Sequence, residues 1–468
     1  MLLQFNAAIR AQDSAREQLF DRYSDRMNVN PVLTRSLVSF QGNKNRPFVR
    51  WLKYKEAFSS EFVEFVFDTL DLSQRGSMLF DPFAGSATAL FAAAERGWKA
   101  SGTELLPIGI MVARARAAAQ KVDLHKLSAA MAKLDDVFAR YPEARPFPHL
   151  RITKDAFPKT TERELSRYRA FVARQKDLSV RTLLDFAALC VLEDVSFTRK
   201  DGQYLRWDQR CNRKLASSFN KGAILRFRNA VGEKLQQIVS DLQARDRDPE
   251  AEAVNILHGS FLQRALDMKA AEVDLVITSP PYCNRYDYTR TYALELAYLG
   301  LGEQDIRALR QSLLSSTVEN RPKVEALRQL FLDHNQSDRF DAVTSAFQSA
   351  TALHEVLSIL EQAADAGHLN NPHIPRMVRN YFFEMAVAIS HLSRIMRSGG
   401  SVVMVNDNVR YFGEEVPVDL ILAFFAETLG FDVEKIWILP RGKGNSSQQM
   451  GAHGRSELRK CIYIWRKS

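Results

Sequence analysis

The stretch SMLFDPFAGSATALFAAAERGWKASGTELLP, Ser77 to Pro107, decides the fold. It opens with a short apolar run that ends at Phe80. Gly85 and Ser86 then make a tight turn, flanked by the small residues Ala84 and Ala87. An alanine-rich helix follows, and after it a second short strand ending in Glu104. Such a turn lets a helix start close to a strand. It also aims backbone N–H groups at whatever lies beyond the strand's carboxyl edge. Asp81 stands at the first strand end, where a carboxylate can hold a cationic amine. Glu104 stands about twenty residues further on, the usual spacing for an acid that holds ribose hydroxyls. A plain structural βα turn would account for the turn alone; the paired acid at Glu104 tilts the reading toward a nucleoside cofactor.

A second stretch, VDLVITSPPYCNRYDY from Val273 to Tyr288, starts as a buried strand and stops at two prolines. Proline fixes its own φ and donates no backbone hydrogen bond, and it pushes the preceding residue toward extended geometry. Ser279-Pro280-Pro281-Tyr282 therefore reads as a stiff loop at a strand's carboxyl end, with carbonyls held free to accept. In a doubly wound sheet, ligands bind where the strand order reverses. If the two strands are central neighbours, Asp81–Ala87 and Ser279–Tyr282 face each other across that crevice.

Outward from these stretches, strands and helices alternate, which argues an α/β fold with a mostly parallel central sheet. SFQGNKNRPFVRWLKYKEAFSSEFVEFVFDTL (Ser39 to Leu70) opens as a loop and continues as an amphipathic helix, with Ser59 or Ser60 as N-cap. A later helix is expected to end at Gly399-Gly400 and to be followed by the strand SVVMVN. The expected organisation is an N-terminal extension over 1–30 and a cofactor half of the core over 31–125. A helical insertion fills 126–250, the catalytic-loop segment 251–300, a second helical insertion 301–372, and the rest of the core 373–468.

The chain has 468 residues, 46% apolar and 25% charged, with Lys and Arg exceeding Asp and Glu by nine (64 against 55). This is a globular composition with a mild basic excess, compatible with a polyanionic partner. The four cysteines are far apart, with no spacing that suggests zinc or a disulfide scaffold, so no metal site and a reducing cytoplasm are expected. The first residues carry too short an apolar run for a signal peptide, and no run approaches a membrane span.

DPFAGSAT (Asp81 to Thr88) resembles the cofactor motif of the amino-methylating DNA methyltransferases, usually written DPFxGSGT. TSPPY (Thr278 to Tyr282) resembles their catalytic motif, [DNS]PP[YFW]. FQGNKNRPFVRW (Phe40 to Trp51) resembles the segment that completes the pocket for the methionine end of S-adenosylmethionine, and LHGSF (Leu257 to Phe261) the strand-end turn near its adenine. The resemblance covers about 30–125, 250–300 and 375–468. It implies a Rossmann-like class I methyltransferase fold with S-adenosylmethionine held by Phe40, Gly42, Asp81, Pro82, Phe83, Gly85, Ser86, Thr88, Glu104 and Ser260. It implies a catalytic loop of Ser279, Pro280, Pro281 and Tyr282 acting on a base flipped from double-stranded DNA, and a cognate restriction endonuclease as partner. Ala87 departs from the family's usual glycine, and Ser260 from its frequent Asp.

An exocyclic amine is a poor nucleophile because its lone pair is delocalised into the ring. The Ser279 hydroxyl and the Pro280 carbonyl can accept both N–H groups and turn the lone pair toward the sulfonium methyl, while Tyr282 stacks on the base. Ser in the first motif position favours cytosine N4, by the family pattern. Adenine N6, an RNA base, a catalytically silent DNA-binding subunit, and cytosine C5 attack through Cys283 stand as alternatives. Little chain follows the last strand, so target reading is expected in 108–250, 300–372, or both. TRKDGQYLRWDQRCNRK (Thr198 to Lys214) offers Arg199, Lys200 and Arg206 for phosphates and Tyr204 and Trp207 for bases, although a solvated loop would read the same. LPRGKGNSSQQMGAHGR (Leu439 to Arg455) offers Arg441 and Lys443 over the DNA.

Overall fold

The computed structural model describes residues 14–72, 74–201, 204–215, 217–244, 254–440 and 458–468. Its strands, in chain order, are β1 (Met27–Val29), β2 (Met78–Asp81), β3 (Lys99–Glu104), β4 (Thr198–Lys200), β5 (Leu205–Trp207), β6 (Val254–His258), β7 (Val273–Thr278), β8 (Met396–Asp407), β9 (Val409–Tyr411), β10 (Glu414–Val416), β11 (Phe431–Ile438) and β12 (Lys460–Lys467). Eight of them form one sheet in the order β1-β11-β12-β8-β7-β2-β3-β6. Strand β12 runs antiparallel to both neighbours and all other pairs are parallel. This is the α/β architecture with a mostly parallel sheet expected of a Rossmann-like methyltransferase.

The chain winds outward from β2 to β3 and β6, then returns to β7 on the other side of β2. Strand order therefore reverses between β2 and β7, which pair directly through Leu79 with Leu275 and Phe80 with Val276. Alternation along the central strands feeds two cores. Leu275 and Ile277 face one side with Leu90, Val403 and Ile462. Val276 faces the other with Phe80, Met404 and the long helix Ile374–Ile395. Strands apolar on both faces are what a parallel sheet covered by helices requires.

The helices Pro107–Lys121, Lys159–Ala173, Leu178–Val191 and Phe227–Gln243 build a third core, which also takes in Trp51 and the helix Ala293–Tyr298. The buried Asp241 pins this lobe to the loop before the sheet: its carboxylate accepts from Trp51 Nε1 at 2.8 Å and Phe48 N at 3.0 Å and pairs with Arg50. The helices between Val324 and Asp365 pack on Ile374–Ile395 within the sheet's own core. No helix among the described residues is long and apolar enough to cross a membrane.

Of the two serines expected as N-cap, Ser59 caps the helix Ser60–Thr69, accepting from Phe62 N. The helix expected to end at Gly399-Gly400 stops at Ile395; β8 begins at Met396 and pairs at once with Val273, and the two glycines lie in a bulge against β7. The N-terminal extension joins the core: Tyr23 is fully buried there, and β1 adds the eighth strand beside β11.

Candidate active site

A pocket of about 760 Å³ opens at the carboxyl ends of β2, β3 and β7. Asp81, the last residue of β2, is buried, and its Oδ1 accepts from Phe83 N at 3.0 Å and Thr278 Oγ1 at 2.7 Å. The second bond ties the end of β2 to the end of β7. Glu104, the last residue of β3, is also buried. Its Oε2 accepts from Gly85 N at 2.5 Å and its Oε1 from Leu106 N at 2.6 Å. One carboxylate thus fixes the turn after β2 and the entry to the next helix together. Burial raises both acids to about 7, against the pull of these hydrogen bonds.

The approach of turn and helix depends on Gly109. A Cβ there would lie 2.3 Å from the Gly85 carbonyl oxygen and 2.6 Å from Glu104 Cγ. Ala87, the departure from the family's glycine, sits in the left-handed region at φ 58 as N-cap of the helix Thr88–Glu95 and is fully buried.

The pocket combines these acids with an apolar floor of Phe83, Leu106 and Phe261 and with Ser260, Ser279 and Pro281. Phe261 packs edge-on to Phe83 at 6.1 Å. The Ser279 hydroxyl donates to the Tyr282 hydroxyl at 3.2 Å. Pro82, Gly85, Ser86 and Thr88 complete the β2 side. The donor set fits S-adenosylmethionine: two buried acceptors suit a ribose diol and an ammonium group, the apolar floor suits an adenine ring, and the close glycine contacts leave room for both.

Of the residues expected to hold cofactor, Phe40 and Gly42 do not line the pocket. Phe40 is buried, and a Cβ on Gly42 would lie 2.7 Å from Ser59 Cβ, so both serve packing. The lining comes instead from the next few residues, Tyr54, Glu56 and Phe58. Asn43 holds Phe58 in place, donating from Nδ2 to its carbonyl at 2.9 Å. Tyr54 stacks on Tyr292 at 5.3 Å, and Glu56 accepts hydrogen bonds from Tyr286 and Tyr292, so the segment after the catalytic loop braces this wall. These residues escaped the sequence reading; the signal was the run of tyrosines at 282, 286, 288 and 292, each a polar-tipped ring needing a partner when buried.

The basic insertion forms the hairpin β4–β5. Arg199, Tyr204 and Arg206 are exposed; Arg206 lies over the Phe219 ring at 4.1 Å, and Arg213 over the half-buried Trp207 at 4.1 Å. Lys200 is not available to a phosphate. It is buried, its Nζ 2.5 Å from the buried Glu295 and 4.4 Å from the Tyr292 ring centre. Alternation along β4 turns it inward while Arg199 turns out. Arg441 and Lys443 lie outside the described residues.

No family model matches the chain. Over 462 residues, 96% of this chain and 92% of the relative, it is 43% identical to the Type II methyltransferase M.AvaI of Nostoc sp., and M.AvaI of Anabaena variabilis matches to the same extent. The Type II methyltransferase M.BsoBI of Geobacillus stearothermophilus is 37% identical over 453 residues, 93% of this chain and 89% of that protein.

Proposed function

The chain belongs to the type II methyltransferases, the amino-methylating DNA methyltransferases of restriction-modification systems, and from that premise we propose that it methylates cytosine N4 in double-stranded DNA with S-adenosylmethionine as donor. The observation that carries this reading is Ser279, whose hydroxyl borders the same pocket as Asp81 and Glu104 and lies 3.2 Å from the Tyr282 hydroxyl. Asp81 takes the donor's ammonium and Glu104 its ribose diol. The donor supplies a methyl group on a sulfonium, electrophilic without further activation.

Ser279 Oγ and the Pro280 carbonyl accept the two N–H bonds of the target amine. The nitrogen lone pair is thereby turned toward the methyl, and alignment supplies much of the rate. Pro280 and Pro281 hold the acceptors rigid, and the Tyr282 ring stacks on the base. A serine carries no charge at neutral pH and so polarises the amine less than an aspartate. Attack at cytosine C5 would need a thiolate at the base. Cys283 is fully buried in the main core, and burial pushes its thiol far above the ordinary range, which argues against that route. The setting that follows is the bacterial cytoplasm, with a cognate endonuclease cutting the sites this enzyme protects.

Ser279→Ala removes one acceptor and leaves the Pro280 carbonyl and the Tyr282 ring. Turnover is expected to fall about 10²–10³-fold, with cofactor and DNA affinity nearly kept. Unchanged turnover in the folded variant would overturn the assignment.

A further inference from the structure

We propose that Arg285, Arg376 and Asn380 form a grip for the DNA phosphate beside the extruded nucleotide; this deepens the DNA-methylation reading and rests on it. Arg285 follows the catalytic loop three residues after Tyr282, and its backbone is in the left-handed region at φ 66. For a residue with a bulky side chain this conformation is uncommon, and such outliers gather at ligand sites. Its side chain is half-buried and, among the described residues, makes one bond, from Nη1 to Asn370 Oδ1 at 3.3 Å, while its Nε is buried without an acceptor there.

Asn370 lies just before the helix Ile374–Ile395, which carries the other two residues. Arg376 is half-buried on its first turn, donating from Nη2 to the Val318 carbonyl at 2.9 Å, and its Nε is likewise buried and unpaired. Asn380 follows at i+4 on the same helix face, 5% exposed, and its Nδ2 has no acceptor. The segment that receives Arg376 also touches the catalytic-loop extension, since the Ser316 hydroxyl donates to the Tyr286 carbonyl at 3.2 Å.

Among the described residues, no carboxylate pairs with Arg285 or Arg376. By contrast, Arg459 lies 2.7 Å from Asp419, and Arg310 3.2 Å from Asp287. A buried donor without a partner is costly, and a ligand that supplies the acceptor would relieve that cost here. Two guanidinium groups and the Asn380 NH₂ group, all donors, on the flank of the base-binding loop suit a phosphodiester. Arginine's planar fork matches its two free oxygens. Gripping that phosphate would hold the flipped nucleotide's backbone while Ser279 and Pro280 hold its amine.

The test uses a duplex carrying the recognition site, located by base-modification sequencing of DNA from expressing cells. Each phosphodiester flanking the target base is replaced, one at a time, by a neutral methylphosphonate. Binding is measured with S-adenosylhomocysteine present, so no methyl transfer is needed. The wild type is expected to lose about ten-fold in affinity at one linkage. The Arg285→Ala, Arg376→Ala double variant should lose at least that on the unmodified duplex and nothing more on the modified one. Its log–log salt slope should fall by about one, for the single phosphate released. Cofactor affinity and melting temperature serve as folding controls. If the double variant melts lower, Arg285→Gln alone carries the comparison. Wild-type affinity and salt slope in the variants, or a methylphosphonate penalty that persists in them, would overturn the grip. A wild type with no affinity for DNA would instead overturn the DNA reading, and the wild-type arm alone tells the two failures apart.

Discussion

Replacing Glu104 by glutamine tests the pocket where it is most constrained. Each carboxylate oxygen accepts one backbone N–H, from Gly85 at 2.5 Å and from Leu106 at 2.6 Å. Glutamine keeps one acceptor oxygen and sets an NH₂ group where the other stood. One backbone N–H then faces a donor in a buried site, a cost of about 1–3 kcal/mol. The pH dependence separates this effect from a general loss. Burial raises Glu104 to about 7 from the ordinary 4.5. Between those values the native state keeps a proton that the unfolded chain has released. The group's contribution to stability is therefore largest below the unfolded value and falls as pH rises through the window. Ligand binding runs the other way. Ribose hydroxyls donate to the ionised form, so S-adenosylmethionine affinity of the wild type should rise through about pH 7 and release a proton. At about pH 5 the wild-type side chain is a neutral acid, and the variant should bind about equally well. At about pH 8.5 the variant should bind about 10–100-fold more weakly, the scale of a hydrogen bond to a charged group. Calorimetry in two buffers of different ionisation enthalpy reads affinity and proton release together. An affinity gap of the same size at both pH values would refute the assignment of Glu104 to the cofactor.

Gly109→Ala gains about 1 kcal/mol of helix propensity yet sets a methyl 2.3 Å from the Gly85 carbonyl oxygen; the turn must move, and cofactor affinity should fall about ten-fold or more with little change in melting temperature. Lys200→Ala strands the buried Glu295 and should cost about 3–5 kcal/mol of stability, whereas Arg199→Ala with Arg206→Ala should leave stability alone and lower the salt slope of DNA binding by about one per phosphate contact; denaturant melts and salt titrations tell the two outcomes apart.

The central sheet was legible because its strands are short, apolar and punctuated. Asp81 and Glu104 stand where each strand stops, and the prolines at 280 and 281 mark the end of β7. Local chemistry sets those boundaries, and topology follows from their order. What escaped depends on pairing across long separations. Lys200 turns inward because Glu295, 95 residues away, waits for it, and no local pattern announces that partner. The part of the pocket wall at Tyr54–Phe58, just past the Phe40–Trp51 segment, was hidden for the same reason, since tyrosines at 286 and 292 hold Glu56 in it. The end of the helix at Ile395 was hidden by two glycines that resemble a cap and instead let β8 bulge against β7.

Nucleoside mass spectrometry of DNA from cells expressing the protein tests the central claim most directly, because it separates the three products by mass and retention. The account predicts N4-methylcytosine with the wild type and its loss with Ser279→Ala. N6-methyladenine or 5-methylcytosine as the enzyme-dependent product would contradict it.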